Sequence, residues 1–573
     1  MNYSFMQHFR NCLFFFILFN LFASTIYPQQ LAMPDYPKGY FRYPLGIPIK
    51  LNANFGEIRA NHFHMGLDLF TNRKENLPVY APADGYIARI KNEAGGFGRA
   101  LYIYHPNGYT TVYAHMNKFT PRVEAFLKEQ QYKSEKWGIE VFVPENKFKV
   151  KKGDFIGYSG NTGGSEGPHL HFEVRKTKND NCLNPLLFGF NISDNIAPLI
   201  TRLAVYNRNK STFEQRPLQF ALKKVKDTFK IASPAIKTNA VKVSFAITAI
   251  DRLNGFTNHF AIHNASVFDN GKPVSGFIID DISYLKTRYL NAYIDYHTGG
   301  NSDYYLQHLT ALPGNRLSIY KKWNEDGLVD LSDGKIHSIT IKVQDAYGNT
   351  SFAAFNIQQT GTDTTSNFQG ELMKPGEVNV FENEELQVYI SDKGLYDAIH
   401  FNYSKTPDIN GLSDIYHLQE TSIPLQDSMI IGMKSNRKIS ESDMNHVLMK
   451  KTVNDKIKVR KAQFNNGWFT AKSNEFGSFQ LVIDNEPPII SANIVDGANL
   501  SKASFIRFYV RDNYNEIKNF RAELDGKWLM FANKGNTFTY IMDEHCSPGK
   551  HEIKVTAEDE AGNVTKVVYQ FTR

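Results

Sequence analysis

Gly167-Pro168-His169-Leu170-His171-Phe172-Glu173-Val174 decides how this chain is read. Leu170, Phe172 and Val174 alternate with polar side chains, the period-two pattern of a β-strand. On such a strand residues i and i+2 face the same way, so His169 and His171 turn their imidazoles into one space. Two imidazoles there can share one metal ion, or one can bind metal while the other carries protons. Many surface strands hold two histidines by chance, so partners must be sought elsewhere in the chain.

Upstream, Asn61-His62-Phe63-His64-Met65-Gly66-Leu67-Asp68 sets His64 and Asp68 four apart, with Gly66 read as the residue that lets the backbone turn between them. His64, Asp68 and His171 together supply three protein ligands for a zinc ion. One coordination position stays open for water, which is the pattern of a catalytic site; structural zinc more often has four ligands including cysteine, and this cluster has none. Zinc polarises a carbonyl and lowers the pKa of bound water to about 7. His169, two residues from a ligand, is expected to take that proton and hand it to the leaving amine. His115, in Val112-Tyr113-Ala114-His115-Met116, is expected to donate to the tetrahedral oxyanion. Tyr113 is expected on the same strand face as His115, as support for substrate or oxyanion; its plainer reading is a packed strand tyrosine.

The 573 residues are too many for one core and point to several domains. With 43 Phe and 30 Tyr, and short alternating segments broken by Gly, Asn and Asp turns, the chain reads as mostly β. The net charge of +7 is mild for this length and no long basic run occurs, so nucleic acid is not expected as a partner. Residues 1–30 read as a signal peptide: Arg10, an apolar run from Cys12 broken by Asn20, then Ala23-Ser24-Thr25. That run is short for a spanning helix, and no later stretch is long enough. The product is expected to be exported. Cys182 and Cys546 then remain, and read as two unrelated buried thiols.

Residues 31–192 read as one antiparallel β unit, with strands near Tyr86-Ile90, Ala100-Tyr104, Thr110-Ala114, Phe155-Ser159 and Leu170-Val174. Only Arg122 to Lys133 looks helical, either a wall of a substrate groove or a decorated loop. Beyond it, Asp194-Asn195-Ile196-Ala197-Pro198 is echoed by Asp484-Asn485-Glu486-Pro487-Pro488, and Asp345-Ala346-Tyr347-Gly348-Asn349 by Asp559-Glu560-Ala561-Gly562-Asn563. A repeated start and stop argues for two copies of one module. The expected division is 193–360, enlarged by an insertion near 276–330, then a β-rich unit at 361–485 and a second module at 486–573.

Phe55-Gly56-Glu57-Ile58-Arg59, His64-Met65-Gly66-Leu67-Asp68, Pro78-Val79-Tyr80-Ala81-Pro82-Ala83-Asp84-Gly85, Tyr113-Ala114-His115-Met116, Lys151-Lys152-Gly153-Asp154 and Gly160-Asn161-Thr162-Gly163 through Glu173 stand in an order that resembles the lysostaphin-type (LytM) zinc endopeptidases. The resemblance covers roughly residues 35–190. It implies one Zn2+ on His64, Asp68 and His171, His115 and His169 as the catalytic pair, and peptidoglycan peptide cross-links as substrate. It also implies placement in the periplasm or cell envelope of a Gram-negative bacterium. The stretch from His115 to Lys151 is longer than the family's usual core. The repeated modules resemble bacterial immunoglobulin-like β-sandwiches, which can space the enzyme, cover its groove or bind an envelope protein partner. The alternatives are a catalytically silent LytM module that binds cell wall or activates a separate amidase, and a structural adhesin.

Overall fold

The computed structural model describes residues 31, 34–299, 305–363 and 368–573; the expected signal peptide lies outside the described residues. Three strands carry the site, β1 (Leu67–Phe70), β2 (Tyr109–Ala114) and β3 (His169–Lys176), and one helix, α1 (Pro121–Ser134), lies beyond β2. β3 runs antiparallel between β1 and β2 within a nine-stranded sheet. The register sets His171 opposite Asp68 on one side and Ala114 on the other, which joins the two motifs from the sequence.

The alternation along β3 holds. Leu170, Phe172 and Val174 enter a core shared with Leu67, Leu69, Leu101, Ile103 and Tyr113. His169, His171, Glu173 and Arg175 take the other face, which is not solvated: Glu173 is 0% and Arg175 4% exposed. Such burial of charge requires pairing, and Arg175 Nε donates to Glu173 Oε2 at 2.6 Å. α1 begins on Pro121, where the missing N–H costs no helical bond, and buries Val123, Leu127 and Gln131.

Residues beyond 193 form pairs of sheets, so the chain is mostly β throughout. A five-stranded and an eight-stranded sheet span Leu199–Asn207 to Thr350–Gln359, two five-stranded sheets lie between Asn379–Glu382 and Gly477–Ile483, and a four-stranded and a five-stranded sheet end the chain. The last pair closes on its own core, including Ile506, Phe508, Ile553 and Val555. The repeated phrases form the same turn. Asp345 Oδ1 accepts from Asn349 N and Asp559 Oδ1 from Asn563 N, both at 2.9 Å, while each Asn Nδ2 returns to its Asp Oδ2.

Residue 193 marks no break in packing. Phe55, Ile58, Phe63, Met65 and Cys182 share one hydrophobic cluster with Phe245, Ile341, Leu386 and Ile431. Within 276–330, the stretch expected to be inserted, a 3-10 turn, Tyr284–Tyr289, runs against the strand His62–Phe63. Cys182 and Cys546 are both buried free thiols. Among the described residues no helix is long and apolar enough to cross a membrane.

Candidate metal centre

His64, Asp68 and His171 converge at the junction of β1 and β3. His64 Nε2 stands 2.9 Å from Asp68 Oδ1 and 3.0 Å from His171 Nδ1, and His171 Nδ1 stands 3.0 Å from Asp68 Oδ1. The outer hydrogen bonds fix which nitrogens face inward. His64 Nδ1 donates to the carbonyl of Asn54 at 2.7 Å, and His171 Nε2 donates to Glu173 Oε1 at 2.9 Å. With those protons placed outward, both inner nitrogens carry lone pairs, and Asp68 offers a third acceptor. Three acceptors about 3 Å apart need positive charge between them, a proton or a metal ion. Tetrahedral bonds of about 2.0–2.1 Å put ligand atoms at about this separation, so the donor set fits a divalent metal.

The electrostatics agree. Burial opposes charge on His171, yet hydrogen bonds to Asp68 and Glu173 raise its pKa to about 9, a demand for positive charge at this point. Burial likewise opposes charge on Asp68, but His64 and the other imidazoles hold its carboxyl well below the usual range. Glu173 is held at about 2 against burial, first by Arg175 and then by His171. Burial depresses His64, which keeps it a neutral donor.

His169 and His115 complete the cleft. His169 Nε2 lies 3.4 Å from Asp68 Oδ1, with its Nδ1 bound to the carbonyl of Gly167 at 2.8 Å. His115 stands with its ring centroid 4.7 Å from that of His169, its Nδ1 donating to the carbonyl of Thr162 at 2.9 Å. Burial, with lesser repulsion from His171 and His169, brings His115 down to about 3, so the ring is neutral. In this tautomer Nε2 presents a lone pair. His115 therefore accepts a proton before it can donate to an oxyanion, which modifies the simple donor role expected for it.

Tyr113 does not reach the site. It is fully buried in the core, tilted against the Phe172 ring, and its hydroxyl bonds Thr111 Oγ1 at 2.9 Å. The i, i+2 rule fails because β2 ends at Ala114 and His115 takes a left-handed φ of 61°, which turns it off the strand face. Gly66 also differs from expectation. Its φ is not positive; instead a Cβ there would fall 2.4 Å from the carbonyl oxygen of Phe172 and 2.8 Å from Glu173 Cγ, so close packing against β3 is what demands glycine.

Glu173, Asn54, Phe97 and Tyr284 were not singled out from sequence. Glu173 was legible as the next same-face residue after His171. Asn54 acts through its carbonyl, which leaves no trace in sequence, and Tyr284 arrives from the insertion to bond Glu173 Oε1 at 3.1 Å. The cleft, ≈ 690 Å3, is lined by His64, Asp68, His115, His169 and His171 with Arg59, Phe97, Ser165, Glu166 and Tyr284.

Mostly β architecture surrounds a two-histidine, one-carboxylate centre. Residues 62–132 and 140–185 match the model of Peptidase family M23, and the chain carries an M23, LytM-type peptidase domain. Residues 370–484 match the model of a Zu5-like domain. The chain is 34% identical over 155 residues to an uncharacterized metalloprotease of Haemophilus influenzae, covering 26% of this chain and 27% of that protein. It is also 34% identical over 143 residues to the DD-carboxypeptidase/endopeptidase Mpg of Neisseria meningitidis serogroup B, covering 24% and 27%. The catalytic domain of a prophage-encoded M23 protein from Enterococcus faecalis aligns at 23% identity with a TM-score of 0.20, over 26% of this chain and 100% of that one. The chain spans about a quarter of the length of the curated relatives it matches.

Proposed function

We propose that this chain is a zinc-dependent endopeptidase that hydrolyses peptide cross-links of peptidoglycan, exported to the periplasm or cell envelope. One observation carries the reading: three lone pairs, from His64, Asp68 and His171, meet with their outer hydrogen bonds already satisfied. A nitrogen, nitrogen and carboxylate set without thiolate suits zinc. Bound there, zinc would polarise the scissile carbonyl and acidify water.

The chain's own residues supply the proton path. His169 and His115 each anchor Nδ1 on a carbonyl and keep Nε2 for the cleft. Both rings are therefore placed to take the attacking water's proton, with burial opposing the charge on His115. The imidazolium so formed has an N–H to give, first to the developing oxyanion and then to the leaving nitrogen. Phe97 and Tyr284 close one side of the cleft and limit water there. The match of 62–132 and 140–185 to the peptidase family and the name of the Neisseria relative support a wall-peptide substrate.

The terminal modules are proposed as immunoglobulin-like spacers for the peptidase, open to an envelope partner. The test is a digest of purified wall material by the zinc-loaded chain, with products identified by mass. Cleavage that His169→Ala abolishes while zinc stays bound supports the enzyme. A zinc-holding wild type that releases no muropeptide would sink it in favour of the silent, amidase-activating module.

A further inference from the structure

Away from the peptidase cleft, two clusters of three aspartates occupy equivalent places in the repeated modules. In the first, Asp194, Asp251 and Asp345 bring one carboxylate oxygen each within 4.8 Å of one another; in the second, Asp484, Asp512 and Asp559 do the same. Each draws one residue from the repeated opening phrase, one from just past a central strand, Lys242–Ile250 or Phe505–Arg511, and one from the repeated closing turn. Three carboxylates at one point repel, and hydrogen bonds within the turn do not remove that charge.

A second observation points outward from the cluster to a ligand. Asp251 is 2% exposed and its Oδ1 has no hydrogen-bond partner. In the second module Asp512 is only half-buried, but its Oδ1 atom is buried without a partner, while its Oδ2 accepts from Tyr514 N at 3.0 Å. The same orphan oxygen at the same position of both copies is a built feature. A buried carboxylate oxygen without a donor is costly unless a proton or a cation meets it.

We propose that Asp194–Asp251–Asp345 and Asp484–Asp512–Asp559 each bind one calcium ion. The donors are hard oxygens with no nitrogen or sulfur, and Ca2+ with bonds of about 2.3–2.6 Å bridges oxygens at this spacing, whereas Mg2+ keeps most of its water. Burial, then repulsion from Asp345, pushes Asp251 up to about 8, and a divalent cation relieves both effects. The sites also lie at junctions. Leu253, Phe256, Ala346 and Tyr347 pack against the peptidase core, and Tyr514 and Ala561 pack against Leu448 and Val459 of the Zu5-like region. Calcium thus stiffens the two places where each module meets the unit before it.

The experiment is calorimetric titration of the zinc-loaded, calcium-free full chain with Ca2+, together with its unfolding midpoint. Two saturable sites per chain and a higher midpoint in calcium than in magnesium are expected. Asp251→Asn and Asp512→Asn each remove one site and leave the other, so a variant that fails to fold is checked by its counterpart. Absence of saturable uptake up to about 10 mM, above the range of extracellular calcium modules, overturns the proposal. So does equal uptake by the doubly substituted chain, or an unmoved wild-type midpoint.

Discussion

His171 stands between two carboxylates, its Nε2 2.9 Å from Glu173 Oε1 and its Nδ1 3.0 Å from Asp68 Oδ1. Glu173 has no water to share its charge with, being 0% exposed, and is held by Arg175. It therefore fixes the tautomer of His171 and raises the basicity of the nitrogen that faces His64 and Asp68. Glu173→Gln is expected to weaken zinc affinity by about 10–100-fold while leaving His169 and His115 in place. Competition with a chromogenic chelator reads the change. Unaltered affinity would show that the carboxylate serves only to neutralise Arg175.

Acid lability follows from histidines outside the site. His105 is kept neutral, its Nδ1 donating to the carbonyl of Asp84 at 2.8 Å and its Nε2 accepting from Thr111 Oγ1 at 2.9 Å. Burial lowers it to about 4, and burial lowers His263 to about 4 as well. The unfolded chain takes up these protons below its ordinary pKa of about 6.5, the folded chain only near 4. Stability is therefore complete above pH 6.5 and is lost as pH falls from 6.5 toward 4. The loss is on the order of 3 kcal/mol per ring. Unfolding of the zinc-free chain across this range should show the slope, and His105→Gln should remove its part. A midpoint flat from pH 7 to 5 contradicts the argument.

Packing across residue 193 makes a second stability prediction. Phe63 is 0% exposed and belongs to the cluster that runs from the peptidase unit into the first module, tilted against Tyr293 at 5.3 Å. Phe63→Ala is expected to cost about 3–5 kcal/mol and to lower the melting of both units together. Calorimetry checks this: separate transitions, with only one moved, would mean the units fold independently.

These cases show what the sequence could and could not disclose. β3, α1 and the grouping of His64, Asp68 and His171 were legible because period-two alternation, a proline-led apolar spacing and His–Asp chemistry are local signals. The convergence of Asp68 on His171 came from motif order and was realised by antiparallel register. Tyr113 was misplaced because the strand ends one residue after it, and a single left-handed residue at His115 leaves little mark in composition. The shared core at Phe55, Phe63 and Met65 was missed because long-range packing has no periodicity. The aspartate phrases read in sequence as the start and stop of a module, and only the fold brings Asp251 and Asp512 to them.

The last module folds back onto α1, which bears on whether it guards the cleft. Tyr132 stacks on His545 with ring centroids 3.7 Å apart, Lys128 Nζ bonds Asp543 Oδ2 at 2.6 Å, and Arg521 Nη1 bonds Glu135 Oε2 at 2.7 Å. Exposed ion pairs contribute only about 0–1 kcal/mol each, so the contact is weak enough to be opened by one reversal. Lys128→Glu sets a carboxylate against Asp543 and Glu544 and is expected to raise hydrogen exchange across 121–134. Activity should stay unchanged, because the cleft is lined from His64, His115, His169, His171, Phe97 and Tyr284 and by no described residue of α1. Unchanged exchange would mean that the stack alone holds the contact. A marked rise in cleavage would instead make the last module a lid and defeat the spacer reading.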